Sequence, residues 1–227
     1  MKRLALLLIM IILLCGAYWH YVKMPERESE DFANFMNQYY IDKTASYEIE
    51  NESLGKVDVA FIGDSLTDGY DVVAYYPDLA VINRGIGGDT THGVLARLDV
   101  SVVIPAPEVI VMMIGTNNID DMFTDYEDII IEMKKSLPDT EIVVLSVTPV
   151  TAADPTQNGK IALANVKIKA IAEEHGLTYV DMFTPLYDLE AGGLRAEYTT
   201  DGLHFTPLGY EVITATLRPV IDELLAE

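Results

Sequence analysis

Five short, mostly apolar runs, spaced by stretches of helical periodicity, constrain the fold of this chain more than any other feature. They cover residues 57–63, 79–83, 108–115, 141–147 and 177–181. Each is strand-length and apolar on both faces, as strands covered by helices on both sides are. Between them lie helical stretches. Tyr126, Ile130, Met133 and Leu137 fall at i, i+4, i+7 and i+11, and Ile161, Ile168 and Ala172 mark a later helix. A last helix starts where Thr206 can cap it and Pro207 suits its first turn. The β-α-β-α alternation predicts a doubly wound α/β domain on a parallel sheet. In such sheets ligands bind at the carboxyl ends of the strands.

The stretch before the first run is organised differently. Residues 23–55 form a polar, acidic connector, in which Phe32, Phe35, Met36, Tyr39 and Tyr40 recur at helical spacing. That stripe predicts a helix packing on the domain rather than a ligand box. The chain therefore divides into 1–22, 23–55 and an α/β domain at 56–227.

In the first segment Lys2 and Arg3 precede an apolar run from Leu4 to Trp19, extendable to Val22 past His20. The run is long for a signal-peptide core and long enough to span a bilayer. Tyr18, Trp19 and Tyr21 stand where an interfacial aromatic belt would lie, and the positive residues would stay on the cytoplasmic side. The expectation is an uncleaved anchor holding the rest outside the cytoplasmic membrane. Cleavage after Ala17, releasing a secreted protein, is the alternative. Leu14 before Cys15 does not suit a lipoprotein signal.

A net charge of −21 repels nucleic acid and anionic headgroups, which argues against phosphate-backbone binding. The one cysteine, Cys15, excludes an intrachain disulfide and any CxxC site. Asp68, Asp71 and Asp78 cluster without metal-ligand spacing, so no metal is expected.

Four polar blocks fall at or just after strand ends or before the last helix. They are Gly63-Asp64-Ser65-Leu66-Thr67, Gly85-Ile86-Gly87-Gly88-Asp89, Gly115-Thr116-Asn117-Asn118 and Asp201-Gly202-Leu203-His204. A parallel sheet brings the first three to one rim. A serine hydroxyl needs a base before it can attack an ester, and donors for the oxyanion that develops. These blocks contain a serine, an imidazole, a carboxylate, glycine backbone and neutral amides. Each has a plainer use. Ser65 can cap a helix, Gly87 and Gly88 can make a tight turn, Asn117 can bond loop backbone, and His204 can be a loop histidine. Asp64 and Asp89 read as backbone-turn support, and His92 and His175 as surface residues.

With these four blocks, in this order over about residues 57–226, the chain resembles the SGNH/GDSL hydrolases. Residues 83–98, NRGIGGDTTHGVLARL, resemble in particular the catalytic subunits of platelet-activating-factor acetylhydrolases, which are soluble proteins. The resemblance implies a three-layer, flavodoxin-like fold and hydrolysis of acyl esters without a cofactor. Carried over position by position, it makes Ser65 the nucleophile and His204 the general base, with Asp201 orienting the imidazole. Ser65 N–H, Gly88 N–H and the Asn117 amide become the oxyanion donors. The expected substrate is a small-molecule, glycan or lipid acyl ester, short-chain acyl groups foremost. A lysophospholipase or thioesterase, acyl transfer with the same residues, and a catalytically silent binding module are the alternatives. Oligomeric state is not legible. Loops 68–77, 150–158 and 186–198 should set specificity.

Overall fold

The computed structural model describes residues 24–151 and 155–226. The apolar segment 1–22, with Cys15, lies outside them. Among the described residues no helix is long and apolar enough to cross a membrane.

Among the described residues the first element is a 28-residue helix, α1 (Met24–Asn51). Phe35 and Tyr39 stack on one another along it, yet Phe32 and Phe35 are 65% and 63% exposed. The larger compact unit spans Lys43–Glu227, so it takes in the last part of α1. There Tyr47 packs: its ring is buried, and its hydroxyl donates to the Gly85 carbonyl at 2.6 Å. Asn51 donates to the Val100 carbonyl, and Glu50 pairs with the buried Arg84.

Five parallel strands follow: β1 (Val59–Gly63), β2 (Val81–Gly85), β3 (Val109–Met113), β4 (Glu141–Leu145) and β5 (Thr178–Val180). Their order is β2-β1-β3-β4-β5. β2 lies two residues later than its apolar run because pairing sets its register, Val59↔Val81 through Gly63↔Gly85. Asn83 and Arg84, polar residues that look out of place in a strand, have local uses. The Asn83 amide donates to the Thr67 and Tyr70 carbonyls, and Arg84 reaches Glu50 and Asn51.

Period-2 alternation along the strands divides the core into two layers. Ala60, Ile62, Ile110, Met112, Ile142 and Val144 face one way. They pack on α4 (Thr91–Ala96), α5 (Tyr126–Ser136) and α6 (Pro155–His175). Val59, Phe61, Val109, Val111, Val143 and Leu145 face the other way. Their partners are α2 (Ser65–Asp68), α3 (Val72–Tyr75), α7 (Phe183–Leu186) and α8 (Pro207–Leu224). A two-stranded hairpin, β6 (Tyr187–Asp188) with β7 (Gly193–Leu194), comes before the loop into α8. Thr206 caps α8 by accepting from the Gly209 N–H, with Pro207 in the first turn.

The strand order reverses at β1, where β2 lies on one side and β3 on the other. In doubly wound sheets that switch point opens a crevice beyond the strand ends. The first three polar blocks leave the sheet at the carboxyl ends of these same three strands.

Candidate active site

β1 ends at Gly63, and Asp64 rather than Ser65 caps the helix that follows. The Asp64 carboxylate accepts the Leu66 N–H at 3.0 Å, and its carbonyl accepts those of Thr67 and Asp68. Ser65 is thus the first residue of α2 with its hydroxyl free of capping duty, and its N–H is the amide of the turn left unclaimed. Asp64 is buried, and its second carboxylate oxygen has no partner among the described residues. Burial pushes its carboxyl up to about 7.

His204 Nε2 stands 3.0 Å from Ser65 Oγ, and His204 Nδ1 stands 2.6 Å from Asp201 Oδ2. The second oxygen of Asp201 accepts the backbone N–H groups of Leu203 and His204 at 3.0 and 2.8 Å. The spacing D-x-x-H is what lets one carboxylate bond both the ring and the amide of the same histidine. The imidazole is the main reason the Asp201 carboxyl lies well below the usual range, and the two amides add to it. The carrying loop is closed by a bridge between Thr199 and Phe205, and Phe205 packs edge-on against Tyr210. The side chains of His204 and Asp201 are about half exposed, so the chain of three groups opens to solvent.

The second block makes the tight turn its glycines suggest. Residues 86–89 close it with Asp89 N–H on the Ile86 carbonyl at 3.1 Å. Gly88 takes the third position with φ +75°, the positive value a type II turn requires there. A Cβ would be strained at that φ. Beneath the turn Arg97, 2% exposed, donates to the Asp89 carboxylate at 2.8 Å. The same guanidinium reaches the carbonyls of Gly63 and Arg84 and the Ser101 hydroxyl. One cation therefore ties the ends of β1 and β2 to the turn. Breaking such a buried pair from one side typically costs about 3–5 kcal/mol.

In the third block the two asparagines separate. Asn117 Nδ2 donates one hydrogen to the Asp89 carbonyl at 2.8 Å, which leaves its second for another acceptor. Asn118 is spent on Thr91 at the start of α4, accepting from its N–H at 3.4 Å and donating to its hydroxyl at 2.9 Å.

The predicted residues Ser65, His204 and Asp201 thus form one hydrogen-bonded chain, and Asn117 joins the Gly88 turn through Asp89. Against this geometry the comparisons are decisive, because residues 61–212 match the GDSL-like lipase/acylhydrolase family. The chain belongs to that family. It is a carboxylic ester hydrolase.

Among curated relatives, this acylhydrolase is 31% identical over 185 residues to the rat platelet-activating factor acetylhydrolase IB subunit alpha2, covering 75% of this chain and 78% of that one. The human alpha1 subunit is 26% identical over 179 residues, with the same coverage. Among solved structures, a GDSL-like lipase of Bacteroides thetaiotaomicron superposes with a TM-score of 0.71 at 26% identity, over 79% of this chain and 97% of that one. An acetyl-xylooligosaccharide esterase of Geobacillus shares the fold at a TM-score of 0.61 and 21% identity, over 74% and 95% of the two chains.

Other polar residues singled out in the sequence have structural partners. Asp78 pairs with Arg218, and Asp71 caps α3. His175 meets Glu127, and His92 stands exposed beside Asp125. No group of three or more potential metal-binding side chains occurs among the described residues. Sequence reasoning missed Arg97 and Tyr47. Arg97 follows the Gly-rich block by a few residues and Tyr47 lies far upstream of it, so no spacing along the chain joined them to the site.

Two open clefts are lined by residues of the loop that carries Asp201 and His204, one by Asp201 and the other by Phe205. One, of about 440 Å³, extends past Asp201 and is walled by Thr151, Asp188, Leu194, Glu197 and Thr199. The other, of about 410 Å³, lies between Tyr75, Asp71, Phe205 and Gly69. Residues 152–154 of the loop read as specificity-setting lie outside the described residues.

Proposed function

We propose that this acylhydrolase cleaves short-chain acyl esters through an acyl-enzyme on Ser65. The observation that carries the reading is the hydrogen-bonded chain Asp201–His204–Ser65, at 2.6 and 3.0 Å. Ser65 Oγ attacks the ester carbonyl carbon while His204 Nε2 takes the hydroxyl proton. The oxyanion accepts from Ser65 N–H, Gly88 N–H and Asn117 Nδ2. Collapse breaks the bond to the alcohol, which leaves with the proton held by His204. Water, deprotonated by the same imidazole, then attacks the acyl-enzyme and releases the acid. Asp201 holds the ring in the tautomer that presents a lone pair to Ser65 and stabilises the imidazolium formed.

Short acyl groups fit the half-exposed triad, which opens to solvent beside shallow, open clefts. The acetyl-ester names carried by the relatives point the same way. A panel of p-nitrophenyl esters tests this, with kcat/KM expected to fall steadily from acetyl or butyryl to palmitoyl. A rise toward palmitoyl would favour the lysophospholipase reading instead.

Location is part of the same proposal. Lys2 and Arg3 followed by the apolar stretch 4–19 support an anchor with the catalytic unit outside the cytoplasmic membrane. Full-length protein should fractionate with membranes, and protease added to intact cells should digest residues 30–227. Recovery of the protein in the soluble cytoplasmic fraction would refute the topology.

A further inference from the structure

We infer that Asp68 is a positioning residue for the oxyanion hole, acting through the Gly87 N–H on the turn that aims the Gly88 N–H. The inference rests on Gly88 being an oxyanion donor. Type I and type II turns differ by a rotation of roughly 180° in the peptide between their second and third residues. That peptide carries the Gly88 N–H, so the choice of turn decides whether the donor points at the reacting carbonyl or away from it.

The outer positions of the turn are well tied. Ile86 N–H donates to the Gly63 carbonyl, and Asp89 is held by Ile86 and Arg97. Its middle is two glycines, without side chains to pack. The contact on that middle is Gly87 N–H donating to Asp68 Oδ2 at 3.1 Å. Asp68 Oδ1 accepts from Lys43 Nζ at 2.8 Å, and the carboxylate is 17% exposed, so the acceptor is both charged and sheltered.

Asp68 is also well placed to brace the turn against the nucleophile. It is the last residue of the four-residue helix whose first residue is Ser65. The end of β2 sits directly on that helix, for a Cβ on Gly85 would lie 2.1 Å from the Asp68 nitrogen. Tyr47 fixes the Gly85 carbonyl from the other side. Nucleophile and donor turn are thereby referenced to one short rigid piece of chain, and Asp68 is its link to the turn.

The test uses full-length protein, p-nitrophenyl acetate and thermal unfolding in parallel. Asp68→Ala should lower kcat about tenfold and change KM less than about twofold, since the ground-state ester gains little from the hole. This is milder than the roughly 10²–10³ of a deleted donor because the turn keeps its closing bonds. Asp68→Asn keeps an acceptor for Gly87 and should recover kcat to within about threefold of wild type, although the Lys43 ion pair is lost. In a double-mutant cycle Asp68→Ala should cost little on top of Gly88→Ala, because both act on one donor. If Asp68→Ala fails to fold, Asp68→Ser, too short to reach Gly87, takes its place in the cycle.

Wild-type kcat in Asp68→Ala, a loss confined to KM, no recovery in Asp68→Asn, or full additivity with Gly88→Ala would each overturn the inference. Ser65→Ala run alongside separates the two levels. An active Ser65→Ala overturns the underlying reading. An inactive one beside an unimpaired Asp68→Ala overturns only the role of Asp68.

Discussion

Ser65→Ala is expected to lower ester turnover by on the order of 10³-fold or more while the protein folds as before. The size follows from the loss of covalent catalysis, because among the described residues no other hydroxyl shares His204 Nε2 as a hydrogen-bond partner. The harmlessness to folding follows from local structure. Asp64, not Ser65, caps α2, and the Leu66 side chain and the Asn83 and Tyr210 hydrogen bonds hold that helix to the domain. Removing one partly exposed hydroxyl should shift stability by no more than about 0.5 kcal/mol. The measurements are kcat/KM on p-nitrophenyl acetate, the thermal midpoint, and labelling by a fluorophosphonate, which should vanish. Wild-type turnover in a folded Ser65→Ala protein would end the case for this nucleophile.

Asn117→Ala should cut kcat by about 10²–10³, roughly 3–4 kcal/mol of transition-state stabilisation, and leave KM nearly unchanged. A carboxamide hydrogen aimed at the oxyanion strengthens its bond as charge builds, so the loss falls on the chemical step. The spare hydrogen of Asn117 Nδ2, beside the one held by the Asp89 carbonyl, is the physical basis of the expectation. Fluorophosphonate labelling of Ser65 should be slowed but detectable, since Ser65 and His204 are intact. Asn118→Ala is the control. Its amide is committed to Thr91, so its loss should loosen the start of α4 and lower the thermal midpoint more than it lowers kcat. A crippled Asn118→Ala beside a mild Asn117→Ala would shift the donor by one residue.

How much of this was legible beforehand depends on how local the cause is. Apolar runs announced all five strands, because a strand buried on both faces must be apolar at nearly every position. The helix at Tyr126–Ser136 and the Thr206–Pro207 start of the last helix were equally readable, since periodicity and capping are short-range. The four polar blocks named the site for the same reason. A turn needs its glycines, and an Asp-x-x-His loop folds its carboxylate onto its own histidine within four residues. Where the reading slipped, the cause was long-range. β2 sits two residues late because its partner β1 sets the register. Tyr47 is buried because its hydroxyl and ring meet Gly85 and Arg84, which lie far from it in the chain.

The sequence by itself determined the parts of the candidate site: which serine, which histidine, which carboxylate and which flexible turn, each written within a stretch of a few residues. Only the tertiary structure decided how they are held. Asp68 read only as one of three clustered acids without metal-ligand spacing until the chain brought Gly87 to one of its oxygens and Lys43 to the other. Burial placed Arg97 beneath the ends of two strands and the Gly88 turn, a position that no motif announced. Local motifs carry chemistry because bonding geometry along the chain is short-range. The supports come from distant segments, and no spacing along the chain records which of them the packed sheet brings together.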